Sequence, residues 1–436
     1  MKSLMRKTRS FLMVLVFLAL IAGAFIYFRD TDGPQITVDG DLTYVSDKAL
    51  RAEFNDGAGL RNVFVEVSQN GVTKELFAKN FDIGVAQSTE EFSLQGAQLR
   101  DGPVELRIRA TDRSIYRFGA GNTNEVVLNL TYDGTPPRVN VLSTAHNINQ
   151  GGSGLIVYTA NEEIEKSGIR AGEFFFPGYR LADGNYACLF AFPHDMSSSD
   201  FSPRLVAVDL AGNEGRGGFY YHANARQFRR DRINISDNFL STKMVQYEQL
   251  FPQAQTPLDI FLAVNRELRG ENRRQLQEIG RQTASDFLWE GAFVRMSGAT
   301  MAGFGDHRSY YYQGQKIDEQ THLGIDLAST QQAFVPAAND GVVVLADFFG
   351  IYGNCVIIDH GLGLQTIYSH LSQIEVAVGD RIKQGDTLGR TGATGMAGGD
   401  HLHFGVTVSG IPVNPIEWWD GSWIRNNITS KLERAQ

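Results

Sequence analysis

Two short segments near the C-terminus hold polar side chains in the spacing of a metal site. They are Thr321–Asp326 (THLGID) and Asp400–Phe404 (DHLHF). A further histidine, His370, lies between them. Imidazole nitrogen and carboxylate oxygen are common zinc ligands. The way in which these segments come together therefore decides both the fold and the chemistry of this part of the chain.

The spacing within each segment predicts that its polar side chains share one face. His322 and Asp326 are four residues apart. His401 and His403 are two residues apart, and β-formers such as Val406 follow them. Side chains alternate along a strand, so residues two or four apart point to the same side. Two such strands side by side would bring four polar groups to one place, where burial without partners is unfavourable.

The same residues favour zinc-dependent hydrolysis of an amide bond. A catalytic zinc site has three protein ligands and one open position, so the two segments leave one group unused. His370 is a second spare imidazole. An imidazole beside a zinc-bound water is suited to take its proton and later to protonate a leaving amine. The spacing alone does not decide which groups bind metal and which move protons.

Around the histidines the sequence is rich in glycine and in β-forming residues. Strands are predicted at 341–345, 354–358 and 364–368, and turns at 378–380 and 384–386. A glycine-rich loop at 392–399 leads into the second segment. We therefore expect an antiparallel β domain over residues 287–420, followed by a C-terminal tail at 421–436.

A helical segment is predicted directly before this domain. Ser236 is placed to cap a helix that runs to residue 251, and Thr256 with Pro257 starts a second helix. A basic run precedes them and is interpreted as a solvated linker; it comprises Arg226, Arg229, Arg230 and Arg232. We expect residues 224–286 to form a helical linker pair that packs beside or over the histidines and gates them.

Two tandem β-sandwiches are predicted further upstream, at residues 31–135 and 136–223. Runs such as Val104–Arg109 contain clustered or alternating β-formers, and turn signals such as Asn55–Gly57 separate them. Ala110–Asp112 and Ala207–Asn213 (AVDLAGN) occupy comparable places and suggest a weak internal repeat. The second of these resembles bacterial immunoglobulin-like domains, which implies a spacer or a binding module.

The N-terminal 30 residues predict a membrane anchor. An uncharged apolar run extends from Phe11 to Phe28, and it is preceded by Lys2, Arg6, Lys7 and Arg9. About 20 apolar residues cross a bilayer as a helix, and preceding cations place the N-terminus in the cytoplasm. A cleaved signal peptide is the alternative, because Ala22–Ala24 is a small-residue site. We expect residues 1–30 to be a cytoplasmic tip and a single-pass inner-membrane anchor, with the body facing the periplasm or the cell exterior.

Composition limits the remaining possibilities. A chain of 436 residues has room for about three domains. Its net charge of −9 argues against a nucleic-acid partner. Cys188 and Cys355 are the only cysteines, so neither a disulfide framework nor a cysteine-based metal site can be built. The predicted fold class is therefore mainly β, with helices confined to the anchor and to the linker pair. No protein partner is identified by the sequence.

Residues 287–420 resemble the lysostaphin-type zinc metallopeptidases, which cut the peptide part of bacterial peptidoglycan. The resemblance rests on several motifs, which are His322–Asp326, Tyr368–Leu371 (YSHL), Val378–Asp386 (VGDRIKQGD), Gly389–Gly395 (GRTGATG) and His401–Phe404. It implies a zinc endopeptidase whose substrates are peptidoglycan peptide cross-links.

By this resemblance each polar residue receives a role. His322, Asp326 and His403 would bind Zn²⁺, while His370 and His401 would be the catalytic histidines. No ligand or catalytic position is missing, which argues against the alternative of a non-catalytic envelope scaffold or an amidase-activating protein with the same fold. A carrier-like β fold, suggested by Val378–Asp386, would need a modifiable lysine at a hairpin tip, and none is present.

Two other histidines lie near the motifs. His360 follows a predicted strand in a recurrent turn of the family and is interpreted as structural. His307 lies at the entry of the domain, where it is a candidate for lining a substrate groove.

Overall fold

The computed structural model describes residues 2–40 and 42–435, without the side chains of residues 2–7 and 26. The first residue of the predicted tip and the last residue of the predicted tail lie outside this set. The chain divides into two compact units, which are Met1–Pro136 with Val208–Glu214 and Pro137–Ala207 with Gly215–Gln436. The two β-sandwiches were predicted at 31–135 and 136–223, whereas the first unit also contains Val208–Glu214. The boundaries predicted at 223 and 286 fall inside the second unit.

The first unit contains the N-terminal helix and a β-sandwich. Helix α1 spans Lys2–Phe28, and its stretch Thr8–Phe25 is long and apolar enough to cross a membrane, a test that a signal sequence also passes. Two sheets follow, with strand orders β1-β3-β6 and β2-β8-β7-β4-β5. A single turn, α2, lies at Tyr116–Gly119. The strands are β1 (Gln35–Val38), β2 (Tyr44–Val45), β3 (Ala49–Asn55), β4 (Leu60–Gln69), β5 (Val72–Asn80), β6 (Gln87–Ser93), β7 (Gly102–Asp112) and β8 (Thr123–Tyr132).

The strands of this unit show the alternation of buried and exposed side chains that the sequence predicted. In β7 every second residue is buried, beginning with Val104 and including Leu106 and Ile108. These side chains join Phe54 and Val65 in one hydrophobic core. One face of the sheet therefore faces the core while the other carries polar residues, as expected for an antiparallel sandwich.

The second unit begins with further β-structure. Its sheets have the orders β14-β15-β11-β9 and β13-β12-β16-β17, and β10 pairs with β18. The strands are β9 (Val139–Val141), β10 (His146–Asn149), β11 (Ser153–Ala160), β12 (Ile164–Ala171), β13 (Phe174–Pro177), β14 (Tyr179–Arg180), β15 (Tyr186–Ala191), β16 (Arg204–Asp209), β17 (Glu214–Gly217) and β18 (Tyr221–Asn224).

These strands share one hydrophobic core with the histidine-bearing region. Every residue of β15 is buried, and so are the first six residues of β11, which is the pattern of strands covered on both faces. Leu189 and Trp418 belong to the same core cluster. The second β region is therefore packed into the unit that carries the histidines.

The segment between the second β region and the histidine-bearing region contains a strand that the sequence did not predict. β19 (Arg230–Asn234) pairs in parallel with β21 (His307–Tyr312), and β22 (Gln315–Thr321) completes that sheet. The interpretation of the basic run as a solvated linker is therefore wrong for Arg230 and Arg232. Alternation in β19 leaves both arginines exposed while Asp231 and Ile233 are partly buried. A strand with outward-facing cations is typical of a sheet edge.

The predicted helices are present and start at the predicted caps. α3 (Asp237–Lys243) begins at Ser236, whose Oγ accepts from the Phe239 amide at 3.1 Å, and a 3₁₀ turn (Met244–Tyr247) follows. α4 (Pro257–Ala263) begins at Thr256 with a reciprocal capping box. A π-helical stretch (Val264–Leu268) joins α4 to α5 (Arg269–Ile279).

The histidine-bearing region is an antiparallel sheet of the order β20-β23-β31-β27-β26-β25-β29, with β32 paired to β31. A smaller sheet has the order β24-β30-β28, and a 3₁₀ turn lies at Gly350–Tyr352. The strands are β20 (Ala299–Ala302), β23 (Ile325–Ala328), β24 (Phe334–Pro336), β25 (Gly341–Phe348), β26 (Asn354–Asp359), β27 (Leu364–Leu371), β28 (Gln373–Ile374), β29 (Arg381–Ile382), β30 (Thr387–Arg390), β31 (Leu402–Val408) and β32 (Ile411–Val413). The predicted mainly β class is confirmed.

The sequence predicted a C-terminal tail, but its described residues form packed helices. They are α7 (Gly421–Ile424), a π-helical stretch (Arg425–Thr429) and α8 (Ser430–Ala435), and α6 (Pro415–Trp419) precedes them at the end of the predicted β domain. Ile424 and Ile428 are buried in the core of the unit. Lys431 is also buried and donates to the Leu155 carbonyl at 3.0 Å. This segment therefore fastens the histidine-bearing region to β11.

A buried carboxyl at the same junction makes stability depend on pH. Glu417 accepts from the Ser153 amide at 2.9 Å, and burial raises the pKa of Glu417 to about 7. The unfolded chain has the ordinary pKa of 4.5. Between these values the folded state holds a proton that the unfolded state has released. The contribution of Glu417 to stability is therefore greatest below pH 4.5 and falls, by up to roughly 3 kcal/mol, as pH rises through 7.

We expect Glu417→Gln to remove this dependence, because the amide keeps an acceptor oxygen and does not titrate. Urea unfolding followed by tryptophan fluorescence reports on this unit, since all four tryptophans lie between residues 289 and 423. The free energy of unfolding at pH 5 and pH 8 should differ more for the wild type than for the variant. Glu290→Gln, at an exposed position, is the matched control. Identical pH dependence in all three proteins would contradict the assignment.

Candidate metal centre

Three neighbouring strands position the central residues of the site. Asp326 in β23 and His403 in β31 are direct cross-strand partners. On the other side, His403 is paired with Ser369 of β27, one residue before His370. His322 lies in the loop between β22 and β23, whereas the sequence suggested that it shared a strand with Asp326. Cross-strand pairing, rather than spacing along one strand, thus brings the carboxylate to the imidazoles.

Three ligand atoms from these residues form a nearly equilateral triangle. His322 Nε2 lies 2.9 Å from Asp326 Oδ1 and 2.9 Å from His403 Nδ1, and the third side is 3.0 Å. All three residues are buried. They form the group of potential ligands that the sequence predicted.

The hydrogen bonds around the triangle leave electron pairs facing one another. His322 Nδ1 donates to the Gly303 carbonyl at 2.9 Å, so in the neutral ring Nε2 carries the lone pair. That lone pair faces a carboxylate oxygen and a second ring nitrogen. His403 Nε2 is buried without a hydrogen-bond partner. Such a set is repulsive unless a cation or a proton lies among the three atoms.

Zinc fits this triangle in ligand type and in size. Two nitrogens and one carboxylate oxygen are a known catalytic set. Bonds of about 2.0 Å in a tetrahedron separate ligand atoms by roughly 3.3 Å, so outward movements of a few tenths of an ångström would accommodate the ion. His322, Asp326 and His403 are therefore the residues that would hold it.

Asp326 is oriented and kept ionised by its neighbours. Its Oδ1 faces the histidines, while its Oδ2 accepts from Arg308 Nη2 at 3.0 Å. Burial alone would raise the pKa of Asp326, but the charge and hydrogen bond of His322 and the nearby rings of His401 and His403 outweigh it and hold the pKa well below 3.8. A fixed second partner of this kind sets the direction of a metal-ligating carboxylate.

The two remaining histidines stand beside the triangle with one ring nitrogen each to spare. His370 Nδ1 donates to the Thr394 carbonyl at 2.9 Å, and His401 Nδ1 donates to the Gly399 carbonyl at 2.8 Å. Their ring centres are 4.9 Å apart, and His401 Nε2 lies 3.6 Å from Asp326 Oδ1. Both Nε2 atoms are therefore available to a bound substrate.

The environments of these two imidazoles favour different protonation states. Burial, together with His403 and His401, lowers the pKa of His370 well below 6.5. Burial also acts against the charged form of His401, but Asp326 outweighs it and raises the pKa of His401. The neutral imidazole of His370 is suited to act as a general base, and the readily protonated imidazole of His401 is suited to act as a general acid. His370 also has a φ of +64°, a rare conformation outside glycine that clusters at functional sites.

The triangle opens into a cavity of about 560 Å³. This volume is typical of a ligand pocket. Some lining residues come from distant parts of the chain and were not suggested by the sequence. They are Lys243, Arg269, Arg273, Arg308 and Tyr352. Only Arg308 could have been found from the sequence, through the alternation of side chains in β21. His307, which was the candidate for lining the groove, is exposed and faces outward, and Arg308 lines the cavity instead. His360 is buried between the Asp340 carbonyl and Thr366, as expected of a structural residue.

A glycine beside the triangle gives a sharp test of its packing. A Cβ on Gly324 would lie 2.5 Å from both Cε1 and Nε2 of His403, closer than non-bonded atoms approach. We therefore expect Gly324→Ala to displace the ring and to weaken zinc binding by roughly tenfold to hundredfold. Gly270→Ala, where an added Cβ meets nothing within 4 Å, should bind zinc as the wild type does. Competition with a chromophoric chelator measures both affinities, and equal values would contradict the packing described here.

Residues 320–415 match the sequence profile of Peptidase family M23, so this part of the chain is an M23 peptidase domain. The chain is 42% identical over 95 residues to the DD-carboxypeptidase/endopeptidase Mpg of Neisseria meningitidis serogroup B, covering 22% of each chain. It is 40% identical over 96 residues to the peptidoglycan DD-endopeptidase ShyA of Vibrio cholerae, again covering 22% of each.

A solved structure also matches part of the chain. The catalytic domain of lysostaphin from Staphylococcus simulans is 27% identical, with 28% of this chain and 92% of that chain covered and a TM-score of 0.25. The match to the curated relatives spans about a fifth of their length, 22%.

Proposed function

We propose that this protein is a zinc-dependent endopeptidase that hydrolyses the peptide cross-links of bacterial peptidoglycan. The observation that carries the proposal is the convergence of His322 Nε2, Asp326 Oδ1 and His403 Nδ1 at the base of a cavity. Two further imidazoles lie beside it with free Nε2 atoms. The similarity of the domain to proteins named DD-endopeptidases supports the choice of substrate.

The proposed mechanism divides the work among the side chains. When bound, zinc lowers the pKa of a coordinated water and polarises the scissile carbonyl. Neutral His370 accepts the proton of the attacking water at Nε2. Protonated His401 donates from Nε2, first as a hydrogen bond to the developing oxyanion and then as a proton to the leaving amine. Each cleaved amide then gives one carboxylate and one amine.

The rest of the chain supports a place in the cell envelope. Helix α1 carries its cationic residues at the N-terminal end, and its apolar stretch has the length and composition of a single-pass anchor. We propose that it holds the protein in the inner membrane with the peptidase domain in the periplasm or at the cell exterior. In this arrangement the β regions act as a spacer or a binding module. Residues of β19 and α3 line the cavity, which supports a role for the segment 224–286 in shaping or gating access.

The full-length chain in detergent and purified peptidoglycan provide the test. After incubation with zinc, mass spectrometry should show fewer cross-linked peptide dimers and more monomers, with one new amine for each cleaved bond. The number of sugar reducing ends should not change, which separates peptide hydrolysis from glycan cleavage. Undiminished cross-linking after treatment with zinc-loaded protein would overturn the proposal.

A further inference from the structure

The cavity beside the metal centre has the opposite charge to the chain as a whole. The chain carries a net charge of −9. Within the described part of the cavity wall there is one carboxylate, Asp326, against four cationic side chains, which are Lys243, Arg269, Arg273 and Arg308. A cleft lined by one sign of charge concentrates ligands of the other sign. The excess is a local feature of the site and would grow when a divalent cation binds.

Two of these cationic side chains already have partners within the protein. Arg308 is paired with Asp326 Oδ2 at 3.0 Å, so its charge is matched. Lys243 donates to the Ala393 carbonyl, an interaction that holds the loop before His401. Neither needs a ligand to account for its position.

Arg269 and Arg273 are different, because neither has a carboxylate within 4.0 Å among the described residues. Arg269 donates to Asn265 Oδ1 at 2.8 Å, and Arg273 makes a long contact of 3.5 Å with Gln320 Oε1. Both acceptors are neutral. Other arginines of the same helices are matched, since Arg266 pairs with Asp318 and Arg274 with Glu271.

The two unmatched guanidiniums are partly buried and repel each other. They stand four residues apart at the start of α5, so they lie one helical turn apart and line the same cavity. Burial lowers the pKa of Arg273, and the neighbouring charge of Arg269 lowers it further. Partly desolvated cations without a paired carboxylate are unfavourable in the free protein. Their retention is accounted for if an anion from a ligand completes the pair.

Helix α5 is fastened close to the reacting groups. Asn272, between the two arginines, accepts from the Ile351 amide at 2.9 Å and so holds the turn that carries Tyr352. The ring centre of Tyr352 lies 5.7 Å from that of His403. Burial raises the pKa of Tyr352 to about 12, while the positive charges of Arg269 and Arg273 act in the opposite direction.

We infer that Arg269 and Arg273 form an anion subsite that binds a free carboxylate of the peptide substrate next to the scissile bond. The inference rests on the proposed function and names the substrate class more narrowly. The enzyme should act on wall peptides with a free carboxylate at that position and discriminate against those in which the carboxylate is an amide. A guanidinium pair suits this task, because its planar N–H donors match the geometry of carboxylates.

The test compares two synthetic cross-linked peptides that differ only in having free carboxylates or carboxamides. The full-length wild type should cleave the carboxylate form at least about tenfold faster in kcat/KM. Arg273→Gln and Arg269→Gln should each lose roughly tenfold to hundredfold on that form and little on the amide form. Arg273→Lys should recover part of the loss. Arg274→Gln, which changes an exposed and already paired arginine of the same helix, is the matched control and should behave as the wild type.

Several outcomes would overturn the subsite while leaving the proposed function intact. These are equal cleavage of both peptides by the wild type, or an equal loss on both peptides in the arginine variants. If the wild type cleaves neither peptide, the proposed function fails instead. In that case calorimetric titration with uncleaved peptides still decides the subsite: tighter binding of the carboxylate form, lost in Arg273→Gln, supports it, and equal binding refutes it.

Discussion

His322→Ala is expected to abolish both zinc binding and peptide hydrolysis. His322 Nε2 is one corner of the ligand triangle and lies 2.9 Å from each of the other two ligand atoms. The His322 ring is held in place by its hydrogen bond to the Gly303 carbonyl. Removing it leaves one carboxylate oxygen and one nitrogen, which are too few ligands for a catalytic zinc site. We expect activity to fall by more than a hundredfold, since even the loss of an outer partner of a ligand costs tenfold to hundredfold.

Two measurements on the same sample check this expectation. Atomic emission gives the zinc content per chain after gel filtration, and mass spectrometry gives the loss of peptidoglycan cross-links. His222→Ala is the matched control, because His222 is exposed on β18 and does not line the cavity. A His322→Ala protein that retained stoichiometric zinc, or that cleaved at the wild-type rate, would show that the triangle is not the metal site.

Replacing either proton-moving histidine should give a different result, with zinc retained and the rate lost. His370 and His401 contact the triangle but are not part of it. General acid–base catalysis contributes roughly a hundredfold to ten-thousandfold, so His370→Ala and His401→Ala should each lose about that much in kcat. Zinc content and the thermal unfolding temperature should stay near those of the wild type.

Measuring both zinc content and rate distinguishes a histidine that binds zinc from one that transfers protons. A variant that loses zinc as well would identify the replaced histidine as a ligand. Unchanged kcat in both variants would remove acid–base catalysis by these imidazoles from the mechanism. Because both side chains are buried or partly buried, the unfolding temperature also shows whether a low rate simply reflects a damaged fold.

Much of the site was accessible from the sequence because its residues lie in short motifs. His401 and His403 flank the start of one strand, and Asp326 is their neighbour across the sheet. The strand alternation that predicted a shared face for His401 and His403 is a local property and holds in the fold, whereas His322 reaches Asp326 from a loop. The helix caps at Ser236 and Thr256 were predictable for the same reason.

What the sequence did not reveal depends on pairings between distant segments. The parallel pairing of β19 with β21 joins residues that lie about eighty positions apart, and no local pattern specifies it. The same holds for Arg269 and Arg273, which reach the cavity only because α5 packs on the turn at Gly350–Tyr352. The packing of β11 and β15 against the peptidase domain is also long-range, although their unbroken apolar runs are typical of strands covered on both faces.

The central claim is that peptide hydrolysis depends on one zinc ion held by His322, Asp326 and His403. It is tested most directly by stripping the full-length protein with a chelator, removing the chelator, and titrating zinc back while cross-link cleavage is measured. We predict that the stripped protein leaves peptidoglycan cross-links intact and that activity returns in proportion to added zinc, reaching its plateau at one equivalent per chain. Full activity in the stripped protein, or no recovery with zinc although the chain remains folded, would contradict the claim.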